Sequence, residues 1–104
     1  MTTRLRLPQR RAAETFEFEV GGLSYTATMG RFDDGALSEI FLSNGKAGSD
    51  SDTAARDCAI VASIALQFGA PIEVIRHALM RNRDGSACGP LGAALDLLDK
   101  ERAQ

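Results

Sequence analysis

A chain of 104 residues, of which 44% are apolar and 25% are charged, has the size and composition of one globular domain. No apolar run approaches the roughly 18 residues that cross a bilayer, and the N-terminal arginines precede no apolar signal core, so we expect a cytoplasmic protein without a membrane partner. The net charge is −2, and two cysteines with one histidine fit no metal-ligand spacing, so the sequence predicts neither a metal nor another cofactor.

The basic residues at the N-terminus come before any acidic residue. They are Arg4, Arg6, Arg10 and Arg11. This pattern predicts a basic arm over residues 1–13, followed by a single domain over residues 14–102. Such an arm can hold phosphate or RNA, but no aromatic residue alternates with the arginines to stack on bases. We therefore favour a solvated arm over a nucleic-acid partner.

Three strands are predicted before any helix. Thr15–Val20 and Leu23–Met29 alternate between apolar and polar residues, which is typical of strands with one buried face. Gly21-Gly22 between them suits a two-residue hairpin turn, because glycine tolerates the positive φ angles that this turn requires. Asp34-Gly35 predicts the next turn, and Leu37–Leu42 predicts a third strand.

The first predicted helix follows a glycine-rich loop. Ser49–Asp52 offers several N-cap residues, and its acidic side chains suit the positive end of a helix. Ala54–Phe68 is almost continuously apolar, which predicts a helix that is buried on nearly all sides. Its small residues indicate self-association, and hence a homodimer, as one way to cover that surface. Gly69 is placed to end the helix.

Two shorter helices complete the chain. Pro71 suits the first turn of a helix over Ile72–Arg81, Asn82–Gly89 predicts a loop, and Pro90 opens the third helix. The predicted fold class is α+β, a three-stranded antiparallel sheet followed by three helices (β-β-β-α-α-α) that pack on one of its faces. If Phe41 and Ile64 lie in the core, truncation of either to alanine costs about 2–5 kcal/mol.

Four segments in this order resemble the TSCPD domain. They are Asp34-Gly35, Glu39-Ile40-Phe41-Leu42, Gly45-Lys46-Ala47-Gly48-Ser49-Asp50 and Ser63-Ile64-Ala65-Leu66-Gln67-Phe68-Gly69-Ala70-Pro71. That domain is found near the C-terminus of adenosylcobalamin-dependent (class II) ribonucleotide reductases and as small free-standing proteins. The resemblance runs from about Phe16 to Leu79. It implies kinship with an accessory domain of a reductase.

This chain departs from the family pattern in one motif. The cysteine-containing motif that gives the domain its name is absent, and Ala87-Cys88-Gly89-Pro90 is at most distantly similar to it. The reductase barrel, with its cobalamin site, radical-bearing cysteine and nucleotide pocket, does not fit in a chain of this length. The resemblance therefore does not imply that the protein reduces ribonucleotides alone.

The glycine-rich loop contains the candidate anion-binding residues. Lys46, Gly48 and Ser49 precede a predicted helix, and a helix N-terminus with free backbone amides attracts anions. The phosphate-binding P-loop requires a glycine where Ile40 stands and a serine or threonine where Ala47 stands, so this loop is not one. Weak binding of a nucleotide or another anion is one hypothesis. A tight connection between strand and helix is the alternative, and acidic residues after the loop favour it.

The remaining reactive side chains have structural explanations. Cys58 lies in an apolar helix, where cysteine behaves as a small hydrophobic residue, and Cys88 lies in a loop as the candidate redox residue. His77 has no nucleophile near it in sequence, so we expect no catalytic role for it. Asp33, Asp34 and Glu39 could bind a cation, but we favour a turn for this segment. Arg76, Arg81 and Arg83 could contact nucleic acid, but we favour their interaction with the dipole at the end of the second helix.

These observations favour a non-catalytic, free-standing TSCPD-type module that binds a protein partner, a second copy of itself or a small ligand such as a nucleotide. One alternative is a subunit in ribonucleotide reduction, associated with ribonucleoside-diphosphate reductase and deoxyribonucleotide synthesis, in which Cys88 donates a thiol. Another alternative is a small nucleic-acid-binding module that uses the arginine arm. Whether the chain catalyses a reaction by itself is left open by the sequence.

Overall fold

Three strands followed by three helices form the protein, and we describe residues 3–5, 7 and 13–102 of a computed structural model, with side chains up to Asp99. The elements are β1 (Ala13–Val20), β2 (Leu23–Arg31), β3 (Leu37–Ser43), α1 (Asp50–Gln67), α2 (Ile72–Ala78) and α3 (Pro90–Arg102). The predicted α+β order is confirmed. Arg6, Arg10 and Arg11 of the predicted arm lie outside the described residues. No helix in the described part of the chain is long and apolar enough to cross a membrane.

The sheet is antiparallel, with β2 in the middle. β1 pairs with β2 so that Phe18 lies opposite Tyr25, and β2 pairs with β3 so that Met29 lies opposite Ile40. Gly21 and Gly22 have φ angles of 61° and 79°, as the predicted two-residue hairpin turn requires. The alternation along each strand therefore directs one set of apolar side chains to a single inner face.

Helix α3 covers that inner face. Four of its side chains are buried against the sheet, where the rings of Phe18 and Tyr25 stack with centroids 5.9 Å apart. The four residues are Leu91, Ala94, Leu95 and Leu98. They follow the three- and four-residue spacing of a helix face. The core is therefore centred between α3 and the inner face of the sheet.

Helix α1 packs beside β3, and the prediction that it is buried on nearly all sides is wrong. A stripe of small residues and one leucine faces the core (Ala55, Ala59, Ala62 and Leu66), whereas Ile60 and Val61 are more than half exposed. The physical reason is that α3 already occupies the inner face of the sheet. An apolar composition alone does not reveal how many faces of a helix find a partner.

Phe41 and Ile64 are also more exposed than the sequence suggested. Phe41 is 55% exposed because the alternation along β3 places Ile40 and Leu42 inside and Phe41 on the outer face. Ile64 is 39% exposed on the outer side of α1. The cost expected for core truncation therefore applies to neither residue, and their substitution by alanine should destabilise the fold much less.

Side chains of α1 bind the backbone along the outer edge of β3. The Ser63 hydroxyl accepts a hydrogen bond from the Ile40 N–H (2.9 Å) and donates one to the Ile40 carbonyl (3.0 Å). Nε2 of Gln67 donates to the Ser38 carbonyl over 3.1 Å. These bonds satisfy backbone groups that an edge strand otherwise presents to other chains. Helix α1 thus closes this edge of the sheet at these positions.

Gln67 also holds the described N-terminal residues. Its Oε1 accepts a hydrogen bond from Nε of Arg4 over 2.6 Å, and its backbone carbonyl accepts one from the Leu5 N–H over 2.6 Å. The side chain of Gln67 is buried. One residue at the end of α1 therefore connects β3 with a segment that lies before β1.

The second helix is shorter than predicted. It ends at Ala78, and Leu79 has an extended ψ of 154°. Beyond it, Arg81 forms an isolated antiparallel bridge with Ala87, and the Cys88 N–H donates to the Met80 carbonyl over 3.2 Å. The chain leaves the helix because these pairings fold the 79–89 segment back towards the start of α3.

Substitution of Gly30 by alanine tests the close packing at the irregularity between β2 and β3. A Cβ atom at Gly30 would lie 2.8 Å from Oε1 and 2.9 Å from Cγ of Glu39, which is 6% exposed. We expect Gly30→Ala to lower the free energy of unfolding by about 1–3 kcal/mol. Chemical denaturation followed by circular dichroism measures this. Gly89→Ala is the matched control, because a Cβ there contacts nothing within 4 Å. Equal stability of the two variants would contradict the prediction.

Candidate functional site

The predicted anion-binding residues lie at the N-terminus of α1. Gly48 has a φ of 84°, and the Ser49 N–H donates to the Lys46 carbonyl over 3.0 Å, which closes the turn. Ser49 is the N-cap, and its hydroxyl accepts a hydrogen bond from the Asp52 N–H over 3.2 Å. The hydroxyl therefore has a structural role in starting the helix. Lys46 is exposed, and binding of an anion by these three residues stays a prediction.

A buried carboxylate lies directly behind this loop. Asp52 is 2% exposed, and it accepts hydrogen bonds from the Asn44 N–H (2.9 Å) and from Nε of Arg56 (2.7 Å). The bond from the Asn44 amide, and then the bond from Arg56, lower the pKa of Asp52. Its negative charge, with that of Asp50, stabilises the positive end of α1 and opposes a bound anion.

Both cysteines line one groove, which the sequence did not indicate. The groove has a volume of about 410 Å³ and lies between the first half of α1 and the start of α3, with Tyr25 and Met80 in its walls. Burial raises the pKa of the Cys58 thiol, whereas Cys88 is exposed and its Sγ lies 3.2 Å from Oδ1 of Asn82. The bridge between Arg81 and Ala87 brings Cys88 back towards α1. Asp84-Gly85, where Gly85 has a φ of 89°, is a local signal for this turn, but it does not indicate which helix Cys88 reaches.

The other predicted ligands do not form a metal centre in the described part of the chain. Oδ1 of Asp34 accepts a hydrogen bond from the Ala36 N–H over 2.9 Å, and Gly35 has a φ of 91°, so this segment forms the predicted turn. Glu39 is buried beside Gly30. Among the described residues, no group of three or more His, Cys, Asp or Glu side chains could hold a metal ion.

An ionic cluster connects α2 to α3. The sequence indicated its arginines but not its carboxylate, Asp96. Asp96 accepts hydrogen bonds from Nε of Arg76 (2.8 Å), Nη2 of Arg81 (2.9 Å) and Nη1 of Arg81. Arg83 and His77 are both exposed. Nε2 of His77 lies 3.5 Å from Oε2 of Glu73. The prediction that Arg81 lies at the end of α2 is wrong, because the helix ends at Ala78. Arg81 binds the carboxylate of Asp96 instead.

A contiguous apolar surface covers the outer side of α1 and the adjoining part of β3. We call it the α1 outer patch, and its residues are Phe41, Ile60, Val61, Ile64 and Phe68. Phe41, Ile60 and Ile64 line one groove of about 390 Å³ between β3 and α1. Val61 and Phe68 extend this surface by the three- and four-residue spacing that makes helical side chains neighbours.

Comparisons with known proteins agree with the resemblance in the motifs. The family model described as "TSCPD domain" matches residues 1–99. A vitamin B12-dependent ribonucleotide reductase of Bradyrhizobium diazoefficiens is 36% identical over 73 residues, which are 70% of this chain and 6% of that protein. The same enzyme of Rhodopirellula baltica is 32% identical over 80 residues, which are 77% of this chain and 8% of that protein. The chain thus spans less than a tenth of these relatives. No solved structure matches it significantly.

The Asp96 cluster should make the stability of the fold depend on pH. The hydrogen bonds from Arg81, with those from Arg76, lower the pKa of Asp96 from 3.8 to about 2. Because the folded state releases this proton more readily, the stabilisation is present above pH 4 and is lost as the pH falls from about 4 towards 2. Asp96→Asn should lower the free energy of unfolding at pH 7 by about 1–3 kcal/mol. The free energy of unfolding of Asp96→Asn should also fall less between pH 4 and pH 2 than that of the wild type.

Urea denaturation between pH 2 and pH 7 measures both effects. Asp99→Asn is the control, because Asp99 lies on the same helix, is more exposed and reaches Arg76 only at 3.3 Å. An exposed pair of this kind contributes about 0–1 kcal/mol. If Asp96→Asn and Asp99→Asn have the same acid profile, the cluster does not determine the pH dependence.

Proposed function

The chain belongs to the TSCPD domain family, and we propose that it serves vitamin B12-dependent ribonucleotide reduction as a binding module that supplies no reactive group of its own. The observation that carries the proposal is the family match over residues 1–99, together with relatives that are themselves vitamin B12-dependent ribonucleotide reductases. Because the chain spans only 6–8% of these two relatives, their reductase activity is assigned to the partner and not to this chain.

The use of the polar side chains supports a binding role. Ser49 caps α1, Asp52 is bonded to the backbone of Asn44, and Asp96 joins two arginines. Each of these groups has contacts that stabilise the fold and that account for its position. The α1 outer patch, in contrast, exposes several large apolar side chains, as protein-binding surfaces do. The cytoplasmic location expected from the sequence stays a prediction.

A second candidate function, a thiol-donating subunit, is favoured by one observation. Cys58 and Cys88 line the same groove, although 29 residues separate them in the sequence. Two thiols that close into a disulfide release two electrons and two protons, which is what a two-electron reduction consumes. The raised pKa of Cys58 disfavours this candidate, because the thiolate is the reactive form.

One experiment separates the two functions. The chain is mixed with a purified vitamin B12-dependent ribonucleotide reductase from the same organism, and both association and turnover are measured with an external dithiol present or absent. For a binding module, we expect association with the reductase, by sedimentation or calorimetry. We also expect the double variant Cys58→Ser, Cys88→Ser to behave as the wild type in association and turnover.

Two other outcomes would each favour a different conclusion. If the double variant associates normally but loses an effect on turnover that needs no external dithiol, the thiol-donating function replaces the binding function. If the wild-type chain neither associates with the reductase nor changes its turnover, the proposal is wrong. Circular dichroism of the double variant confirms that the fold is intact, as expected for two half-buried or exposed cysteines.

A further inference from the structure

We propose that the chain forms a two-fold symmetric dimer in which the α1 outer patch of one copy packs against the same patch of a second copy, with the two α1 helices antiparallel. This inference goes beyond the proposed function, because it concerns the chain alone and requires no reductase. It rests on the shape of the patch, on its area and on the charge of Asp57 near one end of it.

The patch has the shape of a helix-packing surface. Ile60, Ile64 and Phe68 follow one another at intervals of four residues and form one ridge along α1, with Val61 beside it. Ridges with this spacing interdigitate in the commonest class of helix pairs in globular proteins. Phe41 widens the surface over β3. The groove between β3 and α1, which Arg4 and Leu7 of the chain's own N-terminal segment also line, gives a second copy's ridge a place to enter. A self-complementary surface of this kind is what a two-fold interface requires.

The area is sufficient for a small dimer interface. Five large apolar side chains that are between 39% and 67% exposed amount to roughly 400–500 Å² of apolar surface. This lies within the ~300–600 Å² that the largest apolar patch of a monomer covers, and such patches are often functional. With a polar rim, the surface approaches the ~600–800 Å² per copy that small specific interfaces bury.

The charges favour an antiparallel second copy over a parallel one. Ile64 lies at the middle of the ridge of Ile60, Ile64 and Phe68, and the exposed Asp57 precedes this ridge on α1. An antiparallel pairing centred on Ile64 places Ile60 of each copy opposite Phe68 of the other, and it keeps the two copies of Asp57 at opposite ends of the interface. A parallel pairing would instead place Asp57 against Asp57, which is repulsive.

Sedimentation equilibrium of paired lysine variants tests the surface. We expect the wild-type chain to be a dimer and Val61→Lys to raise its dissociation constant at least tenfold. Val74→Lys is the matched control, because Val74 is 62% exposed on α2 and Val61 is 67% exposed on α1. A wild-type chain that is monomeric at millimolar concentration would overturn the proposal. A dimer that Val61→Lys weakens no more than Val74→Lys does would overturn it as well.

Disulfide crosslinking tests the orientation, in a background with Cys58→Ser and Cys88→Ser. In the antiparallel pair, position 64 lies close to the two-fold axis, so Ile64→Cys should crosslink the two copies in the presence of glutathione disulfide. Position 57 should not crosslink to itself, because the two copies of Asp57→Cys are about 21 Å apart along the helix axes. Crosslinking of both variants would indicate parallel helices, and crosslinking of neither would contradict the interface.

The result is independent of the reductase experiment. A chain that is monomeric and still associates with the reductase would overturn the dimer and leave the proposed function intact. A dimer with the expected crosslinks that does not associate with the reductase would support the dimer and contradict the proposed function.

Discussion

The hydrogen bonds between α1 and the outer edge of β3 determine where this helix lies and which of its sides is exposed. Ser63 binds both backbone groups of Ile40, and Gln67 binds the carbonyl of Ser38. A helix held in this position lies beside the sheet, and its inner stripe of alanines completes the core that α3 has largely filled. Its opposite side has no described element over it. The exposure of Ile60 and Val61 is therefore a consequence of how the edge of the sheet is closed.

This arrangement also explains why a small-residue stripe and a large-residue stripe coexist on one helix. The alanines allow α1 to approach β3 closely enough for a serine hydroxyl to reach the strand backbone. Larger residues at those positions would hold the helix away and leave backbone groups without partners. On the outer side no such limit applies, so large apolar residues can stand there without moving the helix away from β3.

The sequence predicted the sheet and the order of the elements well, because both are encoded locally. Alternation over residues 15–20 and 23–29, with Gly21-Gly22 between them, leaves one reasonable structure. The motifs also indicated the family. Three features depended on distant contacts and were missed: the exposed side of α1, the early end of α2 and the shared groove of the two cysteines. Asp96 was missed for a similar reason, since nothing near it in sequence indicates that two arginines from another segment converge on it.

Gln67 joins the N-terminal segment of the chain to strand β3. Its amide group serves a strand on one side and Arg4 on the other, and its backbone carbonyl receives Leu5. Any event that pulls the leading residues away, such as proteolytic trimming or the attachment of a bulky tag, would remove two of these ties at once. The bond from Nε2 of Gln67 to the Ser38 carbonyl would then remain as the contact of this side chain with the strand. The leading segment therefore helps to fix the side chain that supports β3.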